Sequence, residues 1–219
     1  MKRSTLVLVK TLVWIACLVP FARLAWGAVV NQLGPDPTAA IAFATGLATL
    51  RLLAMTLAIS PVRKLWPRLN WLIKFRRLLG LFAFFYGTLH MLTYVALYSG
   101  FNVQAMAADI AKRRFITAGV AAYLLLVPLA LTSTTWAIRK LGGKRWNRLH
   151  KLVYAAIVCG VIHYWWQVKP GVRTPATITV IVAVLLLARP ALAWRDRRSK
   201  QRATAKLQGS ADASASFRR

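Results

Sequence analysis

The chain has 219 residues, of which 58% are hydrophobic, and it carries 31 lysines and arginines against 4 acidic residues. In a polar chain, a net charge of +27 would indicate nucleic acid binding through phosphate neutralisation. Here the basic residues lie between long apolar runs, so we exclude nucleic acid as a partner and expect the chain to lie in a lipid bilayer.

Six apolar runs are long enough to be membrane spans. A helix needs about 20 residues to cross a bilayer core of about 30 Å. The sequence therefore predicts an all-α, polytopic membrane protein, a six-helix transmembrane bundle. The predicted spans are Leu6–Val30, Ala39–Ser60, Leu78–Tyr98, Phe115–Thr132, His150–Gln167 and Pro175–Trp194.

The first run also has features of a signal peptide: Lys2 and Arg3, an apolar core, and small residues near Ala25 to Ala28. We favour an uncleaved first helix, because the run is long and five further spans follow. Cleavage would leave those five.

Basic residues predict the orientation, since lysine and arginine collect on the cytoplasmic side of membrane proteins. With an inside N-terminus, the first segment, the second and fourth connections and the end of the chain are cytoplasmic, and they hold most of the cations. The other side receives Lys112, Arg113, Arg114, Lys169 and Arg173. Both termini are therefore predicted to be cytoplasmic.

The domain prediction has two parts. Residues 1–194 form the membrane domain, and residues 195–219 form a basic tail without regular structure, attracted to anionic lipid heads. We find no nucleotide-binding motif and no internal repeat of useful length.

Two histidines lie at similar depth in spans three and five. His90 follows Arg77 by 13 residues, about 20 Å at helical rise, and His163 follows Lys151 by 12 residues, about 18 Å. Polar side chains at such depth are rare and usually functional. Two imidazoles at one level suit the axial positions of a haem iron, whereas two histidines without nearby acidic or cysteine ligands do not complete a zinc site.

His150, at the start of span five, has two interpretations. It precedes His163 by 13 residues, about 20 Å along the axis, a plausible spacing for a second haem. Span three offers no histidine at that depth, only Arg76 and Arg77, so a second haem would need a lysine, an arginine or water as its other ligand. Alternatively, His150 is an interfacial imidazole that faces headgroups.

Arginines inside spans need a partner, and no span contains a carboxylate. Arg51 is therefore a candidate contact for a haem propionate or a quinone. Arg76 and Arg77 are candidates for propionate, quinone or flavin contacts.

Four segments of the chain carry a family resemblance: TGLATLRLLAMTLAISPVRK (Thr45–Lys64), RRLLGLFAFFYGTLHMLTYV (Arg76–Val95), PLALTSTTWAIRKLGGKRWNRLHKLVY (Pro128–Tyr154) and VIHYWWQVK (Val161–Lys169). The most specific parts are the segment around His90 and the loop KRWNRLH, Lys144 to His150, and the likeness covers about residues 5–195. These segments closely resemble the MsrQ family, haem-binding membrane subunits of the bacterial periplasmic methionine-sulfoxide reductase system, within the ferric-reductase-like transmembrane superfamily.

The resemblance implies ligands and cofactors. Superfamily members typically carry two histidines on each of spans three and five and bind two haems. Span five keeps both, His150 and His163, whereas span three keeps His90 and has Arg76 fourteen residues earlier. The resemblance implies b-type haem held by His90 and His163, with His150 as a candidate ligand of a second haem, and it also implies FMN, at no identifiable residue.

The resemblance further implies an electron-transfer subunit, without catalytic residues, in the bacterial inner membrane. Electrons would come from the quinone pool or a cytoplasmic flavin reductase and leave to MsrP, a periplasmic molybdopterin-dependent methionine-sulfoxide reductase. Two alternatives stay open: a stand-alone quinol-dependent cytochrome b that reduces ferric iron or another metal, and a transporter or structural membrane protein whose histidines bond only to backbone.

Overall fold

The computed structural model describes residues 3–168 and 174–216, and in these ranges all regular structure is helical. A 3₁₀ helix, Pro67–Phe75, leads into α3, and a π-helical turn, Thr93–Tyr98, follows it. The predicted all-α class is confirmed. In chain order the α-helices are α1 Arg3–Val29, α2 Pro37–Leu65, α3 Arg76–Leu92, α4 Val103–Lys112, α5 Arg114–Leu131, α6 Thr135–Leu149, α7 Leu152–Gln167 and α8 Thr174–Ser216.

Five helical segments of the described chain are long and apolar enough to cross a membrane: Ser4–Val29, Pro37–Leu65, Pro67–Tyr98, Arg114–Leu131 and Pro175–Ser199. They confirm five of the predicted spans. The other predicted span corresponds to α7, whose 16 residues rise about 24 Å and fall short of a bilayer core. The count of six crossings and the cytoplasmic placement of both termini stay predictions.

The exposure of apolar side chains fits a lipid environment. Leu131 and Leu187 face outward with 70% and 68% of their surfaces exposed. Leu57, Tyr86 and Ile157 are fully buried in the interior of the bundle. A soluble protein rarely exposes so many large apolar side chains in contiguous patches, so the outer face is suited to acyl chains.

Two helix pairs form the core, α2 with α3 and α5 with α7. The helix α7 also contacts α2 and α8. At its contact with α2 the Leu50 side chain packs against the α7 backbone, because a Cβ added at Gly160 would lie 2.9 Å from Leu50 Cδ2. Small residues permit such close approach between helices in membranes.

The hydroxyl of Tyr86, on α3, forms two hydrogen bonds that link α1 to the core. Tyr86 donates to the Cys17 carbonyl oxygen at 2.7 Å and accepts from the Phe21 N–H at 3.0 Å. These two backbone groups are four residues apart and would ordinarily pair within α1. Pro20 lies between them, and a proline loosens the local hydrogen-bond ladder of a helix, so the tyrosine hydroxyl is inserted into the ladder.

Two short helices mark the two ends of the bundle, and neither was predicted. The helix α4, between α3 and α5, is capped by Asn102, whose side chain accepts from the Ala105 N–H. The helix α6, between α5 and α7, is interrupted at Gly142, where a φ of 72° suits glycine. Both helices are too short and polar to give a span signal. Below, the two ends are called the α4 end and the α6 end.

The tail differs from its prediction. Helix α8 continues from the last span through the basic segment to Ser216 instead of ending at Trp194. The residues after Trp194 are rich in Arg, Lys, Ala and Gln, which have high helix propensity, so an existing helix can propagate through them. The division into domains at residue 194 stays a prediction.

Candidate cofactor-binding site

The imidazole rings of His90 on α3 and His163 on α7 face one another. Their centroids lie 5.8 Å apart and their planes are inclined by 79°. Both rings line a cavity of about 550 Å³ between α2, α3, α5 and α7. Two imidazoles bound to one metal ion at about 2 Å would have centroids about 6 Å apart, so the pair fits a single ion between the rings.

Each histidine is fixed by a main-chain carbonyl on a neighbouring helix. His90 Nδ1 lies 2.8 Å from the Ala42 carbonyl oxygen, and His163 Nδ1 lies 2.7 Å from the Phe115 carbonyl oxygen. A carbonyl oxygen only accepts, so each Nδ1 carries the proton and donates. Each neutral ring therefore keeps its lone pair on Nε2, which is the usual arrangement of a metal-ligating histidine.

A glycine makes room for each imidazole. A Cβ added at Gly46 would lie 3.1 Å from His90 Cε1, and one added at Gly119 would lie 2.8 Å from His163 Nδ1. Each glycine is four residues after the carbonyl residue that accepts from the same histidine. Without a side chain there, the ring can approach the helix backbone closely enough to donate its hydrogen bond.

The two histidine environments have the same spacing along the chain. Ala42 precedes His90 by 48 residues, and Phe115 precedes His163 by 48. The contacts of the pair α2 and α3 thus recur in the pair α5 and α7, although the sequence itself shows no internal repeat of useful length. Few residues are identical between the halves, so the repeat is visible mainly in the positions of the contacts.

At the α4 end the cavity is bordered by polar side chains. Asp109 forms an ion pair with Arg113 Nε at 3.1 Å and accepts a hydrogen bond from the Tyr94 hydroxyl at 3.3 Å. All three residues line the cavity together with the two histidines. The side chain of Arg113 is 59% exposed, so this polar border lies where the cavity opens.

A second cavity, about 350 Å³, lies at the α6 end and is lined by His150, Arg76 and Arg77 among others. The ring of His150 stacks on Trp146 at 3.8 Å, and its Nδ1 lies 3.1 Å from the Trp146 carbonyl oxygen. Its Nε2 is buried and has no hydrogen-bond partner in the described part of the chain. The structure thus brings the three predicted residues to one cavity.

The two ring nitrogens of His150 differ in their surroundings, because Nδ1 faces the Trp146 carbonyl oxygen whereas Nε2 is buried. A neutral ring with a protonated Nδ1 presents Nε2 as an acceptor or a ligand. His150 is half-buried with a buried Nε2, so both of its interpretations, second haem ligand and interfacial imidazole, stay predictions.

Arg51 does not join either cavity. Its side chain is exposed on α2 and is absent from the described lining of both cavities. Five residues separate it from Gly46, which places it about 140° around the helix from the histidine-facing side. The predicted contact of Arg51 with a propionate or a quinone therefore finds no support in the geometry.

The site is suited to holding a cofactor. Among the residues that the structure describes, no three His, Cys, Asp or Glu side chains come together as a metal cluster. Two facing imidazoles leave the remaining positions of an iron to a planar tetradentate ring, as haem supplies. The apolar lining of the cavity suits such a ring, so the residues present fit a haem.

The sequence analysis missed Gly46, Gly119 and the residues whose carbonyls accept from the histidines. The glycines had a detectable signal, because each lies in the middle of an apolar run at the same distance from a histidine. The carbonyls of Ala42 and Phe115 had none, since every residue carries a carbonyl group.

Comparison with known proteins adds independent information. Residues 43–161 match the family described as ferric reductase like transmembrane component. The chain is 48% identical over 91% of its length to a protein of Herminiimonas arsenicoxydans, of which 92% is covered. It is 46% identical over 87% of its length to a protein of Ralstonia nicotianae, of which 88% is covered. It is also 46% identical over 93% of its length to a protein of Xanthomonas oryzae pv. oryzae, of which 96% is covered.

All three relatives are named protein-methionine-sulfoxide reductase heme-binding subunit MsrQ. The similarity spans nearly the whole of each protein, and it includes both helix pairs that hold the facing histidines. With this extent of identity and the matching family, the chain belongs to the MsrQ family of ferric-reductase-like transmembrane proteins.

Proposed function

We propose that this chain is the haem-binding subunit that carries electrons through the bacterial inner membrane to a periplasmic methionine-sulfoxide reductase, MsrP. The observation that carries the proposal is the facing pair His90 and His163, 5.8 Å apart between centroids. The names of the relatives, which describe heme-binding subunits of that reductase, support the same assignment.

His90 and His163 would hold a b-type haem through their Nε2 atoms. When bound, haem supplies reversible one-electron exchange at its iron. The chain's own part is ligation and burial. The carbonyls of Ala42 and Phe115 keep both rings in the ligating tautomer, and the apolar cavity keeps water away.

The cavity at the α6 end is the proposed site of electron entry. The basic residues near α6 favour a cytoplasmic position for this end. There Arg76 and Arg77 offer positive charge and donors, and His150 offers an acceptor, to a quinone, to FMN or to an electron-donating cytoplasmic flavin reductase. His150 is a candidate second haem ligand in the same cavity.

The α4 end is the proposed side of electron exit. Few cations lie in the connections at this end, as expected for a periplasmic face. The bound haem would lie nearer to this end, because His90 is only three residues before the π-helical turn Thr93–Tyr98 that leads toward α4. Reduction of methionine sulfoxide would take place on MsrP, and this chain would supply only electrons.

The test is a haem measurement on purified full-length variants. His90→Ala and His163→Ala should each abolish the reduced-minus-oxidised b-type signal and the delivery of electrons to MsrP. His150→Ala is the matched control for loss of an imidazole, and it should keep the signal of the His90–His163 site. Full haem content in both His90→Ala and His163→Ala would refute the ligand assignment.

A second candidate is a stand-alone quinol-dependent cytochrome b that reduces ferric iron or another metal. The matching family, ferric reductase like transmembrane component, favours it. The discriminating experiment supplies a quinol to the purified chain and measures two rates, methionine-sulfoxide reduction with MsrP added and ferric reduction by the chain alone. Quinol-driven sulfoxide reduction that needs this chain, without appreciable ferric reduction, supports the first proposal, whereas ferric reduction at a comparable rate supports the second.

A further inference from the structure

Arg113 is the only lysine or arginine among the described residues that line the cavity of His90 and His163. It lies between the end of α4 and the start of α5. Phe115, whose carbonyl fixes His163, is two residues later, in the first turn of α5. The same turn of chain therefore positions one histidine and brings a positive charge to the mouth of the cavity.

Arg113 is held in place by Asp109 in two ways. Its backbone N–H donates to the Asp109 carbonyl oxygen at 2.8 Å, and its side-chain Nε forms an ion pair with Asp109 Oδ1 at 3.1 Å. Tyr94 donates to the other carboxylate oxygen at 3.3 Å. The carboxylate thus engages Nε, and the two terminal nitrogens of the guanidinium make no hydrogen bond within the described residues. These two nitrogens can donate a bidentate pair of hydrogen bonds to another carboxylate.

The distance of Arg113 from the histidine level suits a haem edge. Arg113 is six residues before Gly119, which packs against His163, and six residues rise about 9 Å along a helix. That rise matches the reach from a haem iron to its propionate carboxylates. The other arginines considered for this contact do not fit, since Arg51 faces away and Arg76 lies at the α6 end.

We propose that Arg113, oriented by Asp109 and Tyr94, binds a propionate of the haem held by His90 and His163. The inference rests on the proposed function, because it needs a haem in that cavity. A guanidinium at this edge would hold the cofactor through charge-assisted hydrogen bonds. Its positive charge would also favour the reduced state of the bound haem, which carries one more electron.

The experiment compares Arg113→Gln with Arg114→Gln in the purified, haem-loaded full chain. Arg114 is the neighbouring exposed arginine and does not line the cavity. Haem release is followed by transfer to excess apomyoglobin, and the midpoint potential by redox titration. Arg113→Gln should release haem about tenfold faster than wild type, with a more negative midpoint potential. Arg114→Gln should match wild type in both measurements.

Arg113→Lys separates charge from geometry and covers the case in which Arg113→Gln fails to fold. Lysine keeps the charge but loses the planar fork. We expect a midpoint potential near that of wild type together with release faster than wild type. Thermal unfolding of the haem-free proteins reports whether the turn between α4 and α5 is intact.

The inference is overturned if Arg113→Gln and Arg114→Gln release haem at the same rate and have the same potential. It is also overturned if Arg113→Lys shows the full potential shift of Arg113→Gln, since the effect would then be structural. If the wild-type chain binds haem through His90 and His163 but substitution of Arg113 changes neither haem release nor midpoint potential, only this inference is refuted. A wild-type chain without haem sinks the proposed function as well.

Discussion

Arg189 on α8 donates a hydrogen bond from Nη2 to the carbonyl oxygen of Leu57 on α2, at 2.9 Å. Leu57 is four residues before Pro61, which lies inside α2 and has no N–H to give. The Leu57 carbonyl therefore lacks its helical partner, and the arginine supplies one. Arg189 also donates to the Tyr154 hydroxyl on α7, so one side chain joins three helices.

Removal of Arg189 should lower the free energy of unfolding of the bundle. The size of the loss should depend on whether residue 61 is proline or alanine. Arg189→Leu leaves a buried carbonyl unpaired, which costs about 2 kcal/mol of unfolding free energy. In a Pro61→Ala background the new N–H at position 61 can pair with the Leu57 carbonyl, so the same substitution should cost less. The double-mutant cycle is measured by unfolding in detergent micelles.

Arg195→Leu is the control for this cycle, because Arg195 is exposed on the same helix. It should change stability little in either background. An equal cost of Arg189→Leu with proline and with alanine at position 61 would contradict the role assigned to the Leu57 carbonyl.

Tyr86→Phe tests the insertion of a hydroxyl into α1. The substitution frees the Cys17 carbonyl and the Phe21 N–H, but these groups are four residues apart and can pair with each other. We therefore expect a loss of about 1 kcal/mol, in the range of interhelical hydrogen bonds in membranes, and a smaller cost than for Arg189→Leu. Tyr98→Phe, at an exposed tyrosine, is the control in the same unfolding measurement, and an equal loss in both would contradict the assignment.

Gly119→Ala should displace His163. The added methyl carbon would lie 2.8 Å from Nδ1 against the backbone that accepts its hydrogen bond, so the ring must move. Loss of such supporting contacts typically costs 10–100-fold in metal affinity, and we expect haem affinity to fall by about tenfold or more. Gly46→Ala should act in the same direction and more weakly, because its methyl carbon would lie 3.1 Å from the ring of His90.

Gly143→Ala is the matched glycine control. A Cβ at Gly143 would meet nothing within 4 Å, and the residue is absent from the described lining of both cavities. Its haem affinity should equal that of wild type in the same titration. Normal haem affinity in Gly119→Ala would contradict the prediction, because it would show that the His163 ring can accommodate the added methyl group.

Arg77→His should create a second pair of facing histidines. Arg77 precedes His90 by 13 residues, as His150 precedes His163, and both line the cavity at the α6 end. We expect Arg77→His to bind more haem per chain than wild type, with the gain lost again in Arg77→His combined with His150→Ala. Haem is quantified per chain after extraction. Wild-type stoichiometry in Arg77→His would mean that the two halves of the bundle are not equivalent at this depth.

The membrane spans and the depth of the histidines were predictable from the sequence. Apolar length and helical rise are local properties, so counting from Arg77 to His90 and from Lys151 to His163 placed the two rings at one level. The helix α7 shows where this reasoning fails. Its 16 residues are too few to give a clear span signal, and its interior position in the bundle depends on its neighbours and not on its own hydropathy.

Tertiary structure decided which side of each helix meets which neighbour. Arg51 and Arg113 are both arginines in or beside apolar runs, yet only Arg113 lines the cavity of the two histidines. Helix rotation and the turn between α4 and α5 set the direction of each side chain. The same holds for Gly46 and Gly119. Each glycine matters because it has no side chain at the place where an imidazole from another helix packs against it. Hydropathy fixes how deep a residue lies, and packing fixes what it faces.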